Sequence, residues 1–429
     1  MGELERAIAE RIGEHGPIGF DEFVAHALYA PGLGFYTADH GDGRGAGRRR
    51  DFLTSPEVGP LFGAVLARAL DAWWEQFGRP DPFVVVEAGA GPGTLARTVL
   101  AATPDCGGAL RLVLVEPGQA HWAAHPDGVD QRTGLPGPGE LGSGPVVVLA
   151  NELLDNLPFG LVELVDPAGP AHPGGGGLDA SADGGPGPTW CEVLVDVAAS
   201  PAVNVTPAGS GLPPRSRTDR GEAPGPDTAE GAPARFVERF ARLDPARQGW
   251  CWGRAGRSAS VGTRLAVQAD AAAWLSDALD LAVGGRVMAI DYASTTTEMA
   301  VRPWTDWVRT YAGHARGAPP LEAPGTQDIT CEVAVDQLAT VRPPDLDRSQ
   351  AEFLTDHGLD DLLADARRRW AETGIGGGLD AFAARSAIGE AAALTDPTGL
   401  GAFRVLEWVD GLRSPVGGRG GGATLGRYC

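Results

Sequence analysis

The chain has 429 residues, 43% of them hydrophobic, with 56 acidic side chains against 35 basic ones and a formal net charge of −21 at pH 7. This length accommodates a sizeable core and two or three domains; no apolar run approaches the length of a membrane helix, and the negative balance disfavours nucleic acid, whose phosphates it repels. Five cysteines (Cys106, Cys191, Cys251, Cys331 and Cys429) and eight histidines are scattered without paired short spacings, so neither a zinc pattern nor a disulfide framework is expected.

The start, Met1-Gly2-Glu3-Leu4-Glu5-Arg6, lacks a secretory apolar core, and a cytoplasmic protein is expected. Residues 3–13 form a short helix. Phe20–Tyr29 form a second, with Asp21 near its start and Phe20, Phe23, Ala27 and Leu28 at helical spacing before Pro31-Gly32 stops it. Residues 37–50 are polar, glycine-rich and end in Arg48-Arg49-Arg50, which predicts a mobile loop. In Asp51-Phe52-Leu53-Thr54-Ser55-Pro56-Glu57-Val58, a Thr or Ser precedes proline and an acid, the pattern of a helix start. Helical periodicity then runs from Pro60 to about Phe77, with Phe62, Val65, Leu66, Ala69, Leu70 and Trp73 facing inward.

Three buried strands follow: one from Phe83, one over Leu110–Val115 and one over Val146–Ala150. Leu161–Val165 and Trp190–Val197 read as an antiparallel excursion. The biased stretches Pro167–Pro188 and Ser200–Ala234 bury too little apolar surface to offset chain ordering and are expected to be flexible. Ala266–Leu281 is predicted helical, Gly285–Tyr292, Ile329–Val335 and Phe403–Val409 as strands, Ser349–Leu363 and Ala381–Leu394 as helices, and the glycine-rich tail from Pro415 as frayed. Strands alternating with helices predict an α/β fold with a mostly parallel sheet. The expected organisation is a helical cap over the ligand crevice (1–80), a first part of the core (81–165), an insertion (166–262), the rest of the core with added helices (263–414) and a tail (415–429).

The chemistry begins where the first strand ends. Glu87-Ala88-Gly89-Ala90-Gly91-Pro92-Gly93-Thr94 places glycines at every second position after an acid, so the backbone can approach a ligand closely. A dinucleotide fingerprint needs a third glycine where Thr94 stands, which disfavours a nicotinamide-dependent oxidoreductase. Glu116, ending the second strand about 20 residues past the turn, suits a ribose diol, or simply terminates an exposed strand. Asn151-Glu152-Leu153-Leu154-Asp155 follows the third strand. If a helical turn begins there, Glu152 and Asp155 share a face and can grip a guanidinium; the alternative is a capping turn in which Asn151 starts the turn and Asp155 bonds to backbone amides.

The glycine turn resembles the first motif of class I S-adenosylmethionine-dependent methyltransferases. Several further segments, in order, resemble the MidA-like methyltransferases: Ala27–Tyr36, Asp51–Glu57, Glu87–Gly93, Val115-Glu116-Pro117, Asn151–Pro158, Ala289-Ile290-Asp291-Tyr292, Pro324–Thr330 and Gln350–Leu354. That family includes a mitochondrial assembly factor that dimethylates an arginine of a respiratory complex I subunit. The resemblance implies a Rossmann-like, seven-stranded class I methyltransferase core with an added N-terminal helical segment and central insertion, and S-adenosyl-L-methionine as cofactor. It assigns Glu87, Gly89, Ala90, Gly91, Gly93 and Glu116 to cofactor binding, and Thr54, Pro56 and Glu57 to covering it. Asn151, Glu152 and Asp155 become the catalytic candidates, and a protein or peptide with an arginine acceptor the expected substrate, with no nucleic-acid partner and no membrane insertion. A catalytically silent binding or assembly factor and a small-molecule methyltransferase are the rival expectations. Two departures bear on substrate choice: Gly59-Pro60 stand where the family usually has Ser-Gln, and Phe159-Gly160-Leu161 where a Val-His-Gln-like ending is usual.

Overall fold

A computed structural model describes residues 2–38, 54–167, 187–198, 235–256, 259–313, 315–373 and 378–410. Most of the expected loop at 37–50, Asp51-Phe52-Leu53, nearly all of Pro167–Pro188 and Ser200–Ala234, and the tail from Pro415 lie outside the described residues.

The central sheet has seven strands: β1 (Phe83–Ala88), β2 (Leu110–Val115), β3 (Asp130–Arg132), β4 (Val146–Asn151), β5 (Arg286–Asp291), β6 (Leu346–Ser349) and β7 (Arg404–Val409), in the spatial order β6-β7-β5-β4-β1-β2-β3. Pairings among β5, β4, β1, β2 and β3 are parallel; β7 runs antiparallel to both its neighbours. All six residues of β1 are buried, as expected for a parallel strand covered on both faces, and this is why it reads as an unbroken apolar run. One face carries the helices Pro60–Gln76 and Thr94–Ala101, whose Phe62, Val65, Leu66, Leu70, Leu95 and Val99 join Val85 and Leu114 in one core. Gly63 permits their close approach, because a Cβ there would meet Thr98 at 2.1 Å. The other face is covered by Ala269–Leu281 and Val335–Val341.

From β1 the chain winds outward through β2 and β3, then returns to place β4 on the opposite side of β1. The direction of winding therefore reverses between β1 and β4, and in open α/β sheets the crevice beyond the carboxyl ends at such a reversal is where ligands bind.

A second sheet, antiparallel throughout, joins Ile18–Gly19, Gly160–Val165, Thr189–Val197, Phe236–Arg242 and Arg264–Val267. The expected pairing of 161–165 with 190–197 is present. The first 80 residues divide between the sheets: Glu3–His15 and Phe20–Tyr29 bury Ile8, Phe20, Phe23 and Leu28 with the second sheet, whereas Pro60–Gln76 packs on the first. Several elements differ from expectation. Arg264–Val267 is a strand before the helix Ala269–Leu281; the strand expected at 329–335 is two short ones, Asp328–Cys331 and Val333–Ala334. The helix expected over 349–363 is broken into Gln350–Asp356 and Leu359–Thr373 at Gly358, whose φ of +86° is left-handed and ends a helix.

Candidate active site

The glycine turn after β1 adopts the conformation its spacing predicts. Gly89, Gly91 and Gly93 have φ of +71°, +49° and +71°, a region costly for side chains with a Cβ. A Cβ on Gly91 would project into open space, whereas one on Gly89 would press on Leu153 at 3.0 Å. The turn is held from behind by Glu116, whose two carboxylate oxygens accept the Gly91 N–H at 2.8 Å and the Gly118 N–H at 2.7 Å. Glu116 is buried, so it does not merely end an exposed strand. His125 also reaches the turn, its Nε2 lying 2.8 Å from the Gly91 carbonyl.

Gly89, Gly91 and Glu116 face a cleft of about 900 Å³, part of it open solvent. Of the expected site residues, Thr54, Pro56, Glu57, Glu87, Gly89, Ala90, Gly91, Glu116, Asn151 and Glu152 line it. Gly93 and Asp155 do not. Gly93 instead starts the helix Thr94–Ala101 from a left-handed N-cap. Sequence reasoning did not single out Tyr29 and Tyr36, whose rings stack at 5.6 Å and also line the cleft, nor His121. Glu87 is buried at the tip of β1, and burial pushes its carboxyl up to about 8.

The helix start at Thr54-Ser55-Pro56-Glu57 is present as Ser55–Val58, with proline in its first turn, but no Thr54 side-chain cap forms. The Ser55 N–H instead donates to Glu152 Oε1 at 2.8 Å. Glu57 Oε1 accepts from Thr94 Oγ1 at 2.9 Å, tying this short helix to the glycine turn.

At the tip of β4 the expected shared face of Glu152 and Asp155 does not form. Glu152 takes φ +53°, left-handed and strained for a non-glycine, and a 3₁₀ turn over Leu154–Asn156 follows. Glu152 is thereby aimed at the cleft while Asp155 turns into the interior. The capping alternative is altered in its detail: a backbone N–H does bond to the Asp155 carboxyl, but Asp291 Oδ2 accepts the N–H groups of Leu154 at 3.0 Å and Asp155 at 3.2 Å. Asp291 ends the apolar strand β5, much as Glu87 stands at the penultimate position of β1, and that repeated signal could have identified it.

Four carboxyls thus gather behind and beside the tip of β4. Asp328, fully buried, accepts at Oδ1 from Tyr36 Oη and Asn156 Nδ2, both at 3.0 Å. Burial is the main cause that raises all four: Glu152 to about 7 and Asp328 to about 8, with Asp155 and Asp291 raised as well, and the three aspartates are further lifted by the charge of neighbouring carboxylates. Hydrogen bonds from Ser55 and Asn151 oppose the rise at Glu152; at Asp155 a hydrogen bond from Tyr292 opposes it most, with the Arg309 charge contributing less. Asp155 Oδ1, Asp328 Oδ2 and Asn151 Oδ1 are buried acceptors without a hydrogen-bond partner among the described residues.

The two departures from the family pattern lie away from the cleft. Phe159 is buried in the second core against Phe20 at 5.5 Å, and Gly160 begins a strand. Gly59 faces Glu390, whose Oε2 accepts the Leu61 N–H at 3.0 Å and whose carboxyl occupies the space of a Cβ.

A profile of the family described as "Putative S-adenosyl-L-methionine-dependent methyltransferase" matches residues 65–346. The chain belongs to this family. Family membership names S-adenosyl-L-methionine as its cofactor. Over shorter stretches the chain is similar to the mitochondrial protein arginine methyltransferase NDUFAF7 homolog of Drosophila melanogaster, 38% identical over 99 residues, and to human mitochondrial NDUFAF7, 32% identical over 106 residues. These matches cover 23% and 25% of this chain, and the chain spans only 22% and 23% of those relatives' own lengths. A crystal structure from Burkholderia thailandensis, bound to S-adenosyl-homocysteine, has the same fold, with a TM-score of 0.68, 24% identity and coverage of 96% of this chain and 92% of that one. A native structure from the same organism matches at 0.68 and 23%. The expected class I methyltransferase fold is therefore present. The cytoplasmic expectation is overturned, since these curated relatives are mitochondrial proteins. Among the described residues, no helix is long and apolar enough to cross a membrane.

Proposed function

We propose that this protein transfers a methyl group from S-adenosyl-L-methionine to an arginine side chain of a protein or peptide. When bound, the cofactor supplies an electrophilic sulfonium methyl, so the protein's task is alignment and exclusion of water. The residues present fit such a group. Gly91 leaves open the space a Cβ would fill, and the Glu116 carboxylate lines the same cleft at the end of the second strand, a placement that suits a ribose diol. Gly89, Ala90 and Gly93 would complete the turn around the methionine portion, Glu87 would lie beneath it, and Thr54, Pro56 and Glu57 would cover it.

The observation that carries the arginine reading is the group of buried, partly unpartnered acceptors beside Glu152. Buried acceptors without hydrogen-bond partners are costly, and a planar guanidinium supplies directed donors together with a positive charge that such a cluster of carboxyls favours. Glu152, in its ionised form, would orient the guanidinium at the mouth of the cleft, with Asn151 beside it. Asp155 would act from behind, through the electrostatic field rather than by contact. A neutral small-molecule acceptor would leave those acceptors unpaired. The curated relatives, protein arginine methyltransferases by name, support the same substrate class.

The test is incubation of the protein with tritiated-methyl S-adenosyl-L-methionine and host lysate, followed by acid hydrolysis and chromatography. Label in methylarginines supports the proposal. Label in another residue or in a small molecule overturns the arginine acceptor, and absence of label despite cofactor binding overturns transfer altogether.

A further inference from the structure

Gln350 lies outside the cleft, and nothing in the proposed reaction uses it. It is nevertheless fully buried, and its bonds tie together three distant parts of the chain. Its N–H donates to the Phe403 carbonyl at 2.7 Å, beside the start of β7. Its Nε2 donates to the carbonyl of Leu394 at 3.1 Å, at the end of the helix Leu379–Leu394. Its Oε1 accepts the Ser55 hydroxyl at 2.9 Å. Ser55, also fully buried, donates its own N–H to Glu152 Oε1.

We propose that Gln350 is a positioning residue for Glu152, acting through Ser55. Among the described residues the Glu152 carboxylate has two hydrogen-bond donors, Ser55 N–H and Asn151 Nδ2. Asn151 is its sequence neighbour and moves with the same turn, so Ser55 is the anchor that comes from elsewhere. Ser55 opens a helix of only four residues with no side-chain cap, and so short a helix has little stability of its own. Its position therefore depends on tertiary bonds, of which Ser55–Gln350 is fully buried. Glutamine suits the place because its amide donates and accepts at once: one end holds Leu394, the other holds Ser55. An ionised glutamate could not donate to Leu394, and a leucine could serve neither partner. The proposal rests on the reading of Glu152 as the acceptor-facing carboxylate. A purely structural Gln350 would affect melting alone and leave the behaviour of Glu152 untouched.

The experiment compares the full chain with Ser55→Ala, Gln350→Leu, the double variant and Glu152→Gln. pH-difference infrared spectroscopy follows the carboxyl band that Glu152→Gln abolishes, calorimetry with S-adenosyl-homocysteine checks that the cleft is intact, and tritiated-methyl transfer to lysate reports turnover. Loss of a hydrogen bond to the ionised form raises the midpoint of that band, by about one pH unit for a bond of ordinary strength. Both single variants are expected to show that rise, and the double variant no more than the larger single effect, because the two residues act in one relay. Should Gln350→Leu fail to fold, Ser55→Ala, which removes one oxygen, carries the test. Variants that bind S-adenosyl-homocysteine and titrate at the parent midpoint overturn the proposal, even if transfer is still lost in Glu152→Gln. A raised midpoint with unchanged transfer in Glu152→Gln supports the positioning and overturns only the catalytic reading of Glu152.

Discussion

Glu116 accepts the Gly91 N–H at 2.8 Å, so the acid following β2 clasps the glycine turn that follows β1. One carboxylate thereby shapes the turn and faces the cleft. Replacing it with alanine removes a charged acceptor from both Gly91 and Gly118 and takes away the group proposed to hold the ribose. Bonds to charged groups contribute roughly 1.5–3 kcal/mol, so Glu116→Ala is expected to weaken S-adenosyl-homocysteine binding about 10- to 100-fold, measured by calorimetry. Affinity equal to the parent protein would remove Glu116 from the cofactor site.

Glu152 occupies the opposite wall, at the tip of β4, and its proposed work is with the acceptor. Glu152→Gln keeps the shape and an acceptor for Ser55 but removes the charge. Turnover should fall by about 10²-fold, a magnitude typical of losing one preorganised electrostatic group, while S-adenosyl-homocysteine affinity stays near normal. A collapse of cofactor binding instead would show that its role lies there. Because the ionised form is the one proposed to orient the acceptor and burial lifts this carboxyl to about 7, turnover in the parent protein should rise with pH through that value.

The same burial has an opposite consequence for stability. Glu152, Asp155, Asp291 and Asp328 all bind protons more tightly when folded than when unfolded. Between about pH 5 and pH 8 the native state therefore holds more protons, and stability falls as pH rises through that window. For Glu152 alone, the rise from 4.5 to about 7 corresponds to on the order of 3 kcal/mol. Asp328→Asn provides the check, since its Oδ1 can still accept from Tyr36 and Asn156. Its melting temperature should exceed that of the parent at pH 8 and converge with it at pH 5. A difference of equal size at both pH values would mean that Asp328 is ionised throughout.

The elements legible in the sequence were those whose local pattern matched their burial. β1 and β4 are buried along nearly their whole length, and β2 along its last four residues, and they read as apolar runs; Pro60–Gln76 buries one face and shows it as helical spacing. Arg264–Val267 was hidden because Ala266 and Val267 run straight into the apolar spacing of the next helix. In the site, the glycine turn and Glu116 were legible because strand, turn and acid follow one another closely. The pairing of Asp291 with the 154–155 turn, and of Asp328 with Tyr36, joins residues more than a hundred positions apart, and no local pattern encodes such contacts. Asp155 misled for another reason. Three-residue spacing implies a shared face only on a helix, and the left-handed backbone at Glu152 breaks that geometry.

Gly59 offers a last prediction, because it departs from the Ser that its family usually places there. It is the residue preceding the helix Pro60–Gln76, at the position where a serine hydroxyl would accept an early helical N–H. Here Glu390, from the helix Leu379–Leu394, does that work on Leu61, and it also accepts from Ser386. A Cβ at Gly59 would lie 2.1 Å from the Glu390 carboxyl carbon, so any larger residue must push that carboxyl aside. The backbone at Gly59, with φ 167°, is extended and does not itself demand glycine. Gly59→Ala should therefore destabilise by about 1–2 kcal/mol through the lost cap. Gly59→Ser should cost less, because its hydroxyl can take over the Leu61 N–H, and should cost least in combination with Glu390→Ala. Denaturant melts of the four proteins distinguish this exchange of caps from simple crowding, in which Ser, the larger residue, would be worse than Ala.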